Sequence, residues 1–119
     1  MSEMKIIVDA FGGDNAPLEI IKGCAEAVSG LGINILLTGR ESEIRSAADG
    51  SNIPLDGMEI ADAPDVITME DDAGEILKSK SNSSMAEGLR RLAVGDGDAF
   101  VSGGNSGALT IGSTFIVKR

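Results

Sequence analysis

The strongest constraint on this chain is a repeated alternation: four short apolar runs, three of them closed by glycine, separated by segments with helical spacing. Residues 5–10 (KIIVDA) are a β-branched run bounded by Gly12 and Gly13, the pattern of a buried strand. In Asp14-Asn15-Ala16-Pro17 the proline carries the fixed φ that suits a first helical turn. Leu18, Ile21, Ala25 and Val28 then recur at helical spacing until Gly30 and Gly32. Residues 33–38 (INILLT) predict a second buried strand ended by Gly39, residues 41–48 a short helix stopped near Gly50, and residues 58–61 a weaker third strand. Asp71 or Asp72 is placed to cap a short helix through Lys78. Ser83 or Ser84 caps the next, with Met85, Leu89 and Leu92 on one face and Gly95 at its end. Residues 99–102 (AFVS) predict a fourth strand and residues 106–118 a last helix.

The resulting order, βαβαβααβα with near-continuous apolar strands, implies an α/β fold: a mostly parallel sheet with helices on both faces. One element does not close. Ala108, Leu109, Ile111, Phe115, Ile116 and Val117 make the last helix apolar on most sides, so it needs cover from a partner chain or from the rest of a larger protein.

Composition removes several classes of chemistry. There is no histidine and Cys24 is the single cysteine, which excludes Ser-His-Asp and Cys-His triads, HExxH zinc sites and cysteine-rich metal clusters. No metal and no cofactor are expected, Cys24 reads as a core residue, and a reducing cytoplasmic compartment is the expectation. A formal net charge of −9 with no Trp or Tyr argues against nucleic acid as a partner. The first apolar run meets Asp9 too soon for a signal peptide. Residues 99–117 lack charge, but the glycines at 103, 104 and 107 leave only about a dozen helical residues where a membrane span needs ~20. The acidity is local: eight acidic residues and no basic one lie between Asp56 and Glu75, the mark of a solvated connection and a helix start. The oxygen spacing of a calcium loop is missing there.

Two glycine-rich turns follow strands, residues 9–17 and residues 102–108. In an open α/β sheet both would lie at the carboxyl ends of strands, where ligands bind. Glycines let main-chain N–H groups approach an anion; they also simply make tight turns. Neither turn is a nucleotide fingerprint, and Ser106 has no histidine to activate it. Ser106 and Asn105 are candidate donors to a phosphate oxygen, and Asp9 is the best-placed acid, equally able to hydrogen-bond the turn's own backbone. Lys78-Ser79-Lys80-Ser81-Asn82-Ser83-Ser84 offers two lysines before a hydroxyl-rich helix start, suited to a phosphate or an acidic carrier, or else a basic surface beside a serine cap. The expected binding residues are Asp9, Gly12, Gly13, Asn15, Lys80, Ser84, Gly104, Asn105 and Ser106.

On KIIVDAFGGDNAP, SNSSM and GDGDAFVSGGNSGAL, in that order and spacing through all 119 residues, the chain resembles the PlsX-type phosphate acyltransferases of bacterial fatty acid and phospholipid synthesis. The resemblance implies an isocitrate/isopropylmalate dehydrogenase-like fold and transfer of a fatty acyl group from acyl carrier protein to inorganic phosphate, giving acyl phosphate. It also implies a cytoplasmic homodimer peripherally associated with the membrane. The chain differs from the family in length, about a third of it, so residues 1–119 read as an N-terminal segment supplying anion-binding loops. The main catalytic residues are expected beyond Arg119 and the segment alone is expected to be inactive. Glu75 stands where the family often has Arg, Gly103 for its usual Ala, Ser106 for Thr and Phe11 for Met. Two alternatives remain: a non-catalytic phosphate-binding or dimerisation module, and a phosphotransacetylase-like enzyme using coenzyme A.

Overall fold

The computed structural model describes residues 4–117. The expected helix end at Lys118 lies outside the described residues. Four strands, β1 (Lys5–Asp9), β2 (Asn34–Gly39), β3 (Met58–Asp62) and β4 (Ala99–Val101), form one sheet in the order β3-β2-β1-β4. Every pairing is parallel, with Val8 opposite Leu37 on one side and Val101 on the other. Four helices accompany them: α1 (Leu18–Leu31), α2 (Glu41–Gly50), α3 (Ser84–Ala93) and α4 (Ser106–Gly112).

Strand periodicity sorts the apolar side chains onto two faces. Ile35 and Leu37 pack with Ile21 and Cys24 of α1 and Ile44 and Ala48 of α2, flanked by Ile6 and Val8. The intervening residues Ile7, Leu36 and Ala61 face the other way, against Phe100 and Leu92. There α3 joins a further cluster through Met85, Ala86 and Leu89, with Ile67, Ile76 and Ala108. The expected α/β sheet with helices on both faces is therefore present. From β1 the chain steps outward to β2 and β3, then returns to β1's free side as β4. That reversal makes a topological switch point between β1 and β4, beyond whose carboxyl ends an open sheet leaves a crevice.

Local signals set most boundaries. Gly32, with φ 68°, closes α1 by donating its N–H to Val28 O at 3.1 Å. Ser83 Oγ accepts the Ala86 N–H at 3.1 Å and caps α3. Cys24 is buried in the α1 interface, where desolvation pushes its thiol up to about 11, the state of an unreactive core cysteine.

Three expectations change. Pro17 sits in the N-cap position of α1 instead of its first turn, with no side-chain cap. The helix expected through Lys78 is a five-residue 3-10 turn, Ala73–Leu77, uncapped by Asp72. Asp71 instead accepts the Thr68 N–H at 2.8 Å, so it closes the preceding turn. The last helix is α4 followed by a π-helical turn, Ser113–Val117. At the junction Gly112 lies where a Cβ would meet Leu89 Cδ1 at 2.5 Å and Ile76 Cδ1 at 2.9 Å. Thr110 and Thr114 hydroxyls also donate to carbonyls four residues back, a bond that bends helices. Much of the expected cover is internal, since Leu109, Ile111, Ile116 and Val117 pack on the α3 cluster; Phe115 stays 58% exposed.

Close packing of α3 on the sheet requires Gly88, whose Cβ would fall 2.1 Å from Phe100 Cε1. Gly88→Ala should cost about 1–3 kcal/mol through overpacking. Gly23→Ala in α1, with nothing within 4 Å, should instead add about 0.5–1 kcal/mol through helix propensity. Urea denaturation of both variants checks the contrast. On α3, burial works against ionised Glu87, but its bonds to Arg91 and Arg90, each 2.8 Å, outweigh burial and hold its carboxyl below the usual range. A carboxyl lowered in the fold stabilises it above the unfolded pKa, and the gain is lost as pH falls through the lowered value. Thermal midpoints should therefore hold from neutral pH to about 5 and fall below about 4, with a flatter acid limb in Glu87→Gln.

Candidate functional site

Asp9 ends β1 and Val101 ends β4, so residues 10–13 and 102–105 leave the sheet side by side. Asp9 is 3% exposed. Its Oδ1 accepts the Phe11 N–H at 3.0 Å and the Ser84 hydroxyl at 2.6 Å, and its Oδ2 accepts the Ser102 hydroxyl at 2.9 Å. Ser102 Oγ in turn accepts the Gly104 N–H at 3.1 Å. From the end of β2, Thr38 Oγ1 donates to the main-chain oxygen of Ser84 at 2.7 Å. One buried polar cluster thus joins the ends of β1, β2 and β4 to the first residue of α3.

The two glycine loops touch because Gly12 carries no side chain where Ser102 and Gly104 approach it. A Cβ on Gly12 would lie 2.7 Å from Ser102 Oγ and 2.9 Å from both Asp9 Oδ2 and Gly104 N. Gly13 adopts φ 112°, a region closed to most other residues. Beyond them lies a cavity of about 290 Å³ between Phe11-Gly13-Asp14, residues 66–70 and Gly104. Phe11 is a fixed wall: its ring lies over Gly39, and the Arg40 guanidinium stands 5.9 Å from the ring centroid. Gly13 and Gly104 line this cavity without side chains, so a ligand can reach the main chain directly.

Residues 66–70, which complete the wall, belong to the acidic connection. Lys80 Nζ donates to Val66 O at 2.6 Å and to Asp71 Oδ2 at 3.2 Å. Asn105 Nδ2 donates to the main-chain oxygens of Thr68 and Asp71, each at 3.1 Å. The Thr68 N–H bond and the Lys80 ammonium hold the Asp71 carboxyl below its usual range.

The nine expected residues separate into groups. Asp9 and Ser84 are bonded to each other inside the cluster; Gly13 and Gly104 line the cavity, and Gly12 is buried behind them against Ser102 and Gly104. Lys80 and Asn105 bind the 66–71 segment. Asn15 is exposed ahead of α1, its main-chain oxygen accepting from Glu19 N–H, and Ser106 is exposed as the first residue of α4. Sequence reasoning missed Ser102, Thr38 and the 66–71 wall. The Thr68-x-x-Asp71 spacing, a side chain closing its own turn, was the available signal for the last.

A second groove, of about 370 Å³ and mostly apolar, runs between α1 and the sheet past Ile6, Val8, Ile20, Cys24 and Val101, and reaches Asp9 and Gly12 of one loop and Ser102 and Gly103 of the other. Among the described residues no group of three or more His, Cys, Asp or Glu side chains is arranged to hold a metal. No helix among them is long and apolar enough to cross a membrane.

Removing the Asp9 acceptor strands three donors at once, two of them buried or part-buried hydroxyls. Asp9→Ala should cost about 3 kcal/mol or more, and Ser102→Ala only about 1 kcal/mol. Chemical denaturation of the two variants tests this, and equal small losses would contradict a central role for Asp9.

Comparison with known proteins gives the family of the chain. Residues 4–119 match the family described as fatty acid synthesis protein. A phosphate acyltransferase of Acetivibrio thermocellus is 45% identical over 117 residues, covering 98% of this chain and 34% of that protein. Phosphate acyltransferases of Chlorobaculum parvum and Pediococcus pentosaceus are 40% and 41% identical, covering 100% and 98% of this chain and 36% and 33% of theirs. The chain thus spans about a third of the length of the curated relatives it matches. With a matching family over nearly every residue and close relatives that share one name, the chain belongs to the fatty acid synthesis protein family.

Proposed function

We propose that this chain supplies the anion-binding loops of an acyltransferase that moves a fatty acyl group from acyl carrier protein to inorganic phosphate. One observation carries the reading: the glycine loops after β1 and β4 abut at the sheet's switch point and open onto one cavity. In the proposed reaction a phosphate oxygen attacks the thioester carbonyl, a C–O bond forms and the C–S bond breaks. The carrier's thiol leaves and acyl phosphate remains. Phosphate is its own nucleophile, so a chain without histidine is compatible with the step. The demands on the protein are to hold an anion beside a carbonyl and to stabilise the oxyanion that develops. The charged side chains lining the cavity are Asp14 and Glu70; on this reading cationic help comes from residues outside this segment, and the segment alone is inactive. The same reading includes a second copy of the chain as partner, a cytoplasmic location and peripheral contact with the membrane.

Calorimetric titration of inorganic phosphate into the chain tests the reading. Saturable binding in the millimolar range, about −4 kcal/mol, is expected. Gly104→Ala, whose methyl would press on the flexible Met85 Cε at 3.2 Å and on Gly12 Cα at 3.4 Å, should leave the fold intact and weaken binding about tenfold by displacing the Gly104 main chain from its place beside Gly12. Absence of saturation, or unchanged affinity in Gly104→Ala, would overturn the proposal. Acyl phosphate formation from acyl carrier protein thioester by this chain alone is expected at background.

A further inference from the structure

The outer wall of the cavity is held by two residues that look, in sequence, like ligand donors. Asn105 is 8% exposed, both hydrogens of its amide reach main-chain oxygens, and its Oδ1 accepts the Ala108 N–H at 3.0 Å. To donate to a phosphate it would have to release Asp71 O, leaving a part-buried carbonyl unpaired, or Thr68 O, which would keep only the Asp71 N–H. Lys80 is held in the same way on Val66 O and Asp71 Oδ2.

The segment they grip has little else to hold it. Ile67 is the one buried side chain of residues 66–71; Thr68, Met69 and Glu70 are exposed, Met69 by 65%. Within it, the Thr68 N–H donates to Asp71 Oδ2 at 2.8 Å and the Asp71 N–H to Thr68 O at 3.2 Å. The turn is closed on itself, then pinned by Lys80 at its start and end and by Asn105 at its middle and end. Segments with few apolar contacts open first unless polar ties hold them.

We propose that Asn105 and Lys80 are positioning residues, which set the width of the cavity by holding residues 66–71 opposite the glycine loops and act on a ligand only through that wall. The effect on a ligand rests on reading the cavity as an anion site; the holding of the wall does not.

Amide hydrogen exchange at Thr68 and Asp71, measured by NMR on the chain, tests the proposal. Asn105→Asp and the uncharged Asn105→Ser both keep an oxygen that can cap α4 and lose the two amide hydrogens. In these variants and in Lys80→Met the two amides should exchange faster on the order of tenfold, with β2 and α1 unchanged. Lys80→Arg, which keeps donors, should stay near the parent chain. Phosphate affinity should fall in the three loosened variants and recover in Lys80→Arg. Unchanged exchange at Thr68 and Asp71 overturns the proposal; unchanged exchange with lost phosphate affinity would make both residues direct ligands instead. Accelerated exchange in a chain whose parent binds no phosphate would support the positioning role while removing the function proposed for the cavity.

Discussion

Asp9 accepts hydrogen bonds from its own loop, from Ser84 and from Ser102, and the site depends on that convergence. The last two partners lie 75 and 93 residues away along the chain. A polar side chain inside an apolar sheet is costly unless its bonding capacity is met, and here it is met by the segments that must be brought together. The cluster therefore discriminates among arrangements: displacing β4 or the start of α3 would strand buried donors as well as lose apolar contact. No buried side-chain nitrogen or oxygen among the described residues lacks a partner.

The glycines act on the same convergence from the other side. Ser102 and Gly104 approach Gly12 so closely that a single Cβ there would collide with three atoms. The missing side chain at Gly12 lets two strand-end loops come together beside the cavity. Phe11, held over Gly39, and residues 66–71, held by Lys80 and Asn105, then shape a cleft whose floor is main chain.

Much of the scaffold was legible because it follows local rules. Strand limits fell within a residue or two of the apolar runs, Ser83 capped α3, and Gly32 closed α1. The 3-10 turn at Ala73–Leu77 and the π-helical turn at Ser113–Val117 were not legible. Both answer to packing of the second cluster around Ile76 and Leu89, which no local period reports. The site was half legible. Gly12, Gly13 and Gly104 lie where a strand-end loop should put them, whereas Lys80 and Asn105, chosen for their donors, bind the chain itself.

The sequence by itself determined the class of fold, the order of elements and the two glycine loops, since those depend on period, turn residues and caps within a few positions. Tertiary structure alone decided which loops meet, that Asp9 faces inward, and that an acidic connection becomes a cavity wall. Asn105 reaches Thr68 across 37 residues and Ser102 reaches Asp9 across 93. Hydrogen-bond partners at such separations leave no periodic trace in a chain. Donor-rich residues advertise that they will bind something, and only the folded arrangement determines whether that is a ligand or a neighbouring carbonyl.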